Sequence, residues 1–236
     1  MLHIKFDKNE VFFAGCLHFG HLNICRSTSS WSRGHRDFDS IKEMNDCIIN
    51  NINTRTTNNS HLFVLGDMFF GQDKHISIPQ ILKELKCKVH YIFGNHCDYL
   101  RNHEEYWPLF SSVSEYKEIV VGKQLICLFH YPCEVWRDSH KGSWMLHSHC
   151  HATLEENNNI GNRLEVGTDC SYYIKDNVLY KADSHGEVHK ISGNFVVDNS
   201  YELKHASFNP FSFHEIKHLM TFKKNRFVDH HNKDTN

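Results

Sequence analysis

The chain has 236 residues and a formal net charge of −2; 40% of it is hydrophobic and 13% aromatic, with 21 histidines and nine cysteines. That much apolar surface excludes a disordered chain, which cannot bury enough to offset ordering entropy, and the near-neutral balance excludes a broad basic field for strong nonspecific nucleic-acid binding. The charges within Met1–Glu10 and the lack of an apolar run of ~18 residues exclude a signal-peptide core and a membrane span, so a cytoplasmic location with no membrane partner is expected, its odd set of cysteines held as reduced thiols.

Ile4-Lys-Phe6 and Val11-Phe-Phe-Ala14 read as short strands, and the turn-rich Asp7–Glu10 between them predicts a hairpin. From Asp39 to Ile52 the residues Ile41, Met44, Ile48 and Ile52 recur at helical steps, with Asp39 or Ser40 as the cap. His61–Leu65 is an apolar strand stopping on Gly66-Asp67. Ser77–Lys86 is a second helix with Pro79 near its start, and Lys88–Phe93 a strand stopping on Gly94-Asn-His96. Strands that end in glycine and polar residues, with helices between them, follow βαβ logic, in which strand carboxyl ends converge on one crevice.

The second half predicts strands over Gln124–Pro132, Trp144–His151 and Arg163–Asp169, linked by loops with little helix signal between them. From Ser171 to His205 alternation dominates: a hairpin about Asp176-Asn177, then strands at Val188–Ile191 and Asn194–Val197. Phe213–Phe222 closes as a short helix capped by Ser212, and Arg226–Asn236 reads as a polar tail after one domain over 1–225.

The polar residues gathered at the strand ends are Cys16, His18, Asp67, Asn95, His96, His130, His149 and His151. They match in number and type what two divalent ions bridged by a carboxylate require. His149 and His151 are two apart, which on an extended segment puts both rings on one face, and Cys16 and His18 share that spacing.

The order of these pieces resembles the calcineurin-like metallophosphoesterases, whose pattern runs D-x-H, G-D, G-N-H-D/E, H and G-H-x-H. Here they stand as Cys16-Leu-His18, Gly66-Asp67, Gly94-Asn-His-Cys97, His130 and Ser148-His-Cys-His151, between about Phe12 and Asp169. The likeness is greatest to the small, phage-type branch, through Cys16-Leu-His-Phe-Gly-His-Leu-Asn-Ile-Cys-Arg26, Glu43-Met-Asn45, Phe129-His-Tyr-Pro132, Val166-Gly-Thr-Asp169 and the closing Pro210–Ile216. A phage-encoded chain would work in the host cytoplasm.

The resemblance implies an α/β fold, a four-layer α/β/β/α sandwich, with the β-rich Ser171–His205 as an insertion near the C-terminus: a lid or specificity element over the cleft, a sheet edge, or an oligomer contact. It implies a first metal on Cys16, His18, Asp67 and His151, and a second on Asp67, Asn95, His130 and His149. The ions, two divalent transition metals such as Mn, Zn, Fe or Ni, would lie about 3.5–4 Å apart and supply a bridging hydroxide for in-line attack on a phosphate ester. A phosphodiester of a nucleotide, cyclic nucleotide or short oligonucleotide is the expected substrate. His96 is the implied general acid, and His21, Arg26 and Arg36 the implied phosphate contacts.

Two carboxylates of the pattern are replaced, by Cys16 and Cys97. Cys16 reads as a thiolate ligand, which favours Zn at the first site with a bond of about 2.3 Å, as a buried small apolar residue that leaves this metal a ligand short, or as the mark of an altered site. Cys97 removes a carboxylate beside His96, where Asp98 could stand in only partly. With Ser148 in place of glycine, these changes also fit a catalytically impaired descendant that binds a nucleotide or a protein through the same cleft.

Overall fold

A computed structural model describes residues 5–26, 29, 35–70, 76–154, 161–185, 187–188 and 195–224. The expected polar tail and His189–Ile191 lie outside these residues. In chain order the elements are β1 (Lys5–Phe6), β2 (Val11–Ala14), α1 (Ile41–Arg55), β3 (His61–Leu65), α2 (Ile78–Glu84), β4 (Lys88–Ile92), α3 (Asp98–Arg101), β5 (Ser112–Ser114), β6 (Lys117–Val121), β7 (Gln124–Leu128), β8 (Trp144–His147), β9 (Arg163–Glu165), β10 (Ser171–Lys175), β11 (Val178–Ala182), β12 (Glu187–Val188), β13 (Phe195–Val196), β14 (Glu202–His205), β15 (Phe211–Ser212) and α4 (Phe213–Met220).

The fold is mixed α/β with parallel and antiparallel pairing. One sheet has the order β15-β2-β3-β4-β5, a second β1-β6-β7-β8-β9 and a third β13-β12-β11-β10-β14. Strands β2 to β5 run parallel, with the helical connections that parallel neighbours need. Their apolar residues alternate between two cores. Phe12, Ala14, Leu62, Val64, Val89 and Tyr91 meet Met44, Ile48, Ile52 and Ile81 of the helices, while Val11, Phe13, Phe63, Leu65 and Ile92 meet Ile119, Ile126, Leu128, Leu146 and Leu164 of the second sheet. A sheet covered on both faces explains why β2 and β3 read as nearly unbroken apolar runs.

Helix α1 begins where its chemistry says it should. Ser40 accepts the Glu43 N–H at 3.2 Å, and the Glu43 carboxylate reaches back to the Asp39 N–H at 2.9 Å. The β10–β11 hairpin turns through Asp176 and Asn177, both left-handed at φ 49° and 59°, as a two-residue turn between right-twisted strands requires.

The predicted hairpin at the N-terminus is corrected. β1 pairs in parallel with β6 in the second sheet, whereas β2 lies in the first. Phe6 enters the core between the sheets, edge-on to Phe63 at 5.3 Å, so Asp7–Glu10 crosses from one layer to the other. A short apolar strand does not encode its partner, and burial of Phe6 decided it.

Strands β2, β3 and β4 all end at one edge. There a parallel bridge between Gly15 and Gly167 and the bond of the Ser148 hydroxyl to the Leu65 carbonyl tie the ends of both sheets together. Among the described residues no helix is long and apolar enough to cross a membrane. Ser40→Ala should lower stability by about 1 kcal/mol, read as a shifted urea midpoint at unchanged slope, with Ser40→Gly costing only a few tenths.

Candidate metal centre at the strand ends

Strands β2, β3 and β8 pass to ligand-type side chains through strained bends. Cys16, His18, Asp67, His149 and His151 all have left-handed backbone, with φ of 52°, 54°, 49°, 72° and 47°. Sparsely populated backbone of this kind costs of order 1–3 kcal/mol per residue and persists only where its surroundings hold it. Here bonds between the bends hold it: Cys16 N–H to Gly66 O at 3.0 Å and His18 N–H to Asp67 O at 2.9 Å. The extended geometry expected from the two-residue spacings is therefore corrected. His149 and His151 diverge because they sit in a turn beyond β8, and they serve two different groups.

The first group is Cys16, His18 and His151, whose donor atoms lie within 4.8 Å of one another. His18 is 2% exposed, and neither ring nitrogen has a hydrogen-bond partner. Burial, followed by the neighbouring His151 and Arg36, drives its pKa well below the ordinary value, so the ring is neutral. Two orphaned nitrogens on a buried neutral imidazole are costly unless something binds them.

The second group centres on His130. Its Nδ1 lies 2.9 Å from the Leu65 carbonyl, which can only accept, so Nδ1 carries the proton and Nε2 presents a lone pair. Around Nε2 stand Asn95 Oδ1 at 2.9 Å, His149 Nδ1 at 3.1 Å and Asp67 Oδ2 at 3.3 Å. Acceptor-type atoms crowded this closely want a cation among them. Cys16 belongs to both groups, since its sulfur also lies within 4.8 Å of the Asp67 and His130 donors.

The glycines of the sequence pattern are spatial necessities. A Cβ at Gly66 would lie 2.1 Å from His130 Nδ1, one at Gly94 would lie 2.3 Å from Asp67 Oδ1, and one at Gly15 would meet Ser148 Cβ at 2.5 Å. Ser148, the departure from glycine, turns its hydroxyl to the Leu65 carbonyl and to His130 Nδ1.

Asp67 is also fixed from behind. Its Oδ1 accepts the His96 N–H at 2.9 Å. His96 itself is exposed, with its ring edge-on to Phe70 at 4.9 Å. Cys97 is buried, takes the Gly94 N–H at 3.0 Å and lies 2.7 Å from the Tyr91 hydroxyl. Burial, then the Asp67 charge, pushes its thiol up to about 12, so it stays neutral. Asp98 faces solvent 3.9 Å from Arg101 and does not take over behind His96.

The three expected phosphate contacts stand in different settings. Arg26 is exposed and ion-paired to Asp37 and Asp39. His21 stacks on Phe70 at 3.6 Å, and burial, then Arg36, lowers its pKa to about 4. Arg36 is wholly buried and grips both oxygens of Asp169 at 2.7 and 2.9 Å, while also donating to the carbonyls of Cys16 at 2.6 Å and Leu17 at 2.8 Å. It therefore holds the ligand-bearing loop from within.

Asp169 completes that arrangement with a 2.6 Å contact to His151 Nδ1, which leaves Nε2 for the first group. Carboxylate–histidine pairs of this kind orient metal ligands. Asp169 was not predicted as a site residue, although it ends the Val166-Gly-Thr-Asp169 motif; its partner Arg36 is 133 positions away.

A divalent ion fits these residues: one buried histidine lacks any partner for its nitrogens, lone pairs converge at His130, and the donor set mixes sulfur, nitrogen and oxygen. No family model matches the chain. An uncharacterized protein of Methanocaldococcus jannaschii is 23% identical over 143 residues, 61% of this chain and 70% of that protein. A solved protein of unknown function from Aquifex aeolicus has a TM-score of 0.48 at 19% identity, over 67% of this chain and 89% of its own. The nuclease MPE of Pseudomonas putida has a TM-score of 0.38 at 13% identity, over 84% of this chain and 88% of the nuclease. Likeness at this level establishes neither a family nor an activity for the chain.

Removing Arg36 strips the buried Asp169 carboxylate of its permanent, bidentate countercharge. Arg36→Met should cost about 3–5 kcal/mol in chemical denaturation; a loss below about 1 kcal/mol would contradict the clasp.

Proposed function

We propose that the chain is a metal-dependent phosphoesterase of the calcineurin-like metallophosphoesterase kind, acting on a phosphodiester. The supporting observation is the convergence of two donor groups on one strand-end edge, with the buried His18 nitrogens unpartnered in the first and lone pairs crowded about His130 in the second. The four-layer sandwich of that family and the insertion of Ser171–His205 belong to the same reading. So do nucleotides, cyclic nucleotides or short oligonucleotides as substrates.

In this reading Cys16, His18, Asp67 and His151 hold one ion, and Asp67, Asn95, His130 and His149 the other. When bound, such ions neutralise phosphate oxygens and lower the pKa of a water. The chain's own residues do the positioning. Leu65 fixes the His130 tautomer, Asp169 fixes that of His151, and Asp67 anchors the backbone of His96, whose ring stands 6.0 Å from that of His18. From there His96 protonates the departing alkoxide, a poor leaving group without that proton. Phe70, against both His21 and His96, walls this side and keeps the ring in place.

The observation that favours a second reading, a binding module with impaired chemistry, is the buried thiol of Cys97 where a carboxylate would support His96.

Metal analysis of the purified protein and hydrolysis of bis(p-nitrophenyl) phosphate with Mn²⁺, Zn²⁺ or Ni²⁺ separate the two. The phosphoesterase reading expects two ions per chain and turnover, with His96→Ala lowering kcat by about 10²–10⁴ at unchanged metal content. Bound metal without turnover supports the binding module, and a chain with neither metal nor turnover sinks the enzyme.

A further inference from the structure

The third sheet is fastened to the candidate centre from behind. Glu165, at the end of β9, is fully buried, and both its carboxylate oxygens are used: Oε1 accepts the Ala152 N–H at 3.0 Å and Oε2 accepts from Lys181 Nζ at 2.7 Å. Lys181 belongs to β11 and is itself buried, and Tyr172 of β10 donates its hydroxyl to the Glu165 carbonyl at 2.9 Å. Ala152 directly follows His151, and both are left-handed, at φ 68° and 47°. Neither has the freedom of glycine, so their turn needs an outside anchor, and the Glu165 carboxylate supplies one.

The same sheet also reaches the other ligand arm. His185, just past β11, donates from Nε2 to the His35 carbonyl at 2.5 Å. The next residue, Arg36, holds the carbonyls of Cys16 and Leu17.

A lysine–glutamate pair stripped of water gains little or nothing over an apolar pair of the same size, whereas removing one partner leaves a charge in a dry site. Without Lys181, the Glu165 carboxylate loses the partner that holds Oε2 and swings from its place, because an unpaired charge is not retained in a dry site. That movement weakens its bond to Ala152. The His151 turn then loses its anchor, and His151 loses its aim at Cys16 and His18.

We propose that Lys181, paired with Glu165, is a positioning residue for the metal centre, through which the third sheet fixes the His151 turn. The proposal rests on the reading of that centre as a metal site.

The test is zinc binding to the full chain, by competition with a chromophoric chelator and by metal content, with folding checked by thermal melting. Wild type should take two ions, and Lys181→Met should weaken one of them about 10- to 100-fold, as loss of a carboxylate–histidine support does, with the other unchanged. If Lys181→Met does not fold, two double variants that remove both charges of the pair decide. Lys181→Met/Glu165→Gln keeps an acceptor for Ala152 and should bind both ions nearly as wild type does, whereas Lys181→Met/Glu165→Leu lacks one and should lose the first ion. Equal affinities in the two doubles, or an unaltered folded Lys181→Met, overturn the proposal while leaving the metal site standing. A wild type that binds no zinc overturns the metal reading and this proposal with it.

Discussion

The guanidinium of Arg36 braces both arms of the first donor group. It grips Asp169, which orients His151, and it donates to the carbonyls of Cys16 and Leu17, which brace the bend that presents Cys16 and His18. A planar, permanently charged donor fork can serve a carboxylate and two carbonyls at once, which a lysine cannot. The pair is buried, so its attraction is little screened, and its value lies less in net stability than in fixing one arrangement of loops far apart in sequence. The left-handed bends at five of the donor residues persist because this clasp, the bonds between bends and the Glu165 carboxylate behind Ala152 hold them.

The second donor group is built differently. Its donors gather around a ring whose tautomer is set by the Leu65 carbonyl, and the glycines at 66 and 94 exist to let His130 and Asp67 approach. Cys16 lies between the two groups. In the proposed metal centre, a thiolate at this shared position, where the resembled pattern has a carboxylate, softens the site and favours zinc over manganese or magnesium. Cys97 makes the opposite kind of change. It replaces charge with a neutral buried thiol tied to Tyr91 and Gly94, so His96 relies for placement on its backbone bond to Asp67 and on Phe70.

Much of this was legible in the chain. The periodicity of Ile41, Met44, Ile48 and Ile52, with Ser40 ahead of it, gave α1, and the Gly-Asp and Gly-Asn-His strand ends marked where side chains would gather. What could not be read depends on partners distant in sequence. Phe6 joined the second sheet because the space between two sheets suited it, not because of any local signal. The resemblance implies Arg36 as a phosphate contact, because an arginine soon after a ligand motif carries no mark of burial, and its partner Asp169 lies 133 positions on. Left-handed backbone at cysteine and histidine likewise has no sequence signature, so the two-residue spacings were read as extended strand.

The central claim is that the Cys16 sulfur is a metal ligand together with His18 and His151. Cobalt(II) loading of the full chain tests it most directly, because a thiolate bound to cobalt absorbs strongly in the near ultraviolet and a protein without such a bond does not. The account predicts that band in the wild type, its loss in Cys16→Ser and its persistence in Cys97→Ser. A cobalt-loaded wild type without the band, or a Cys16→Ser variant that keeps it, would contradict the account.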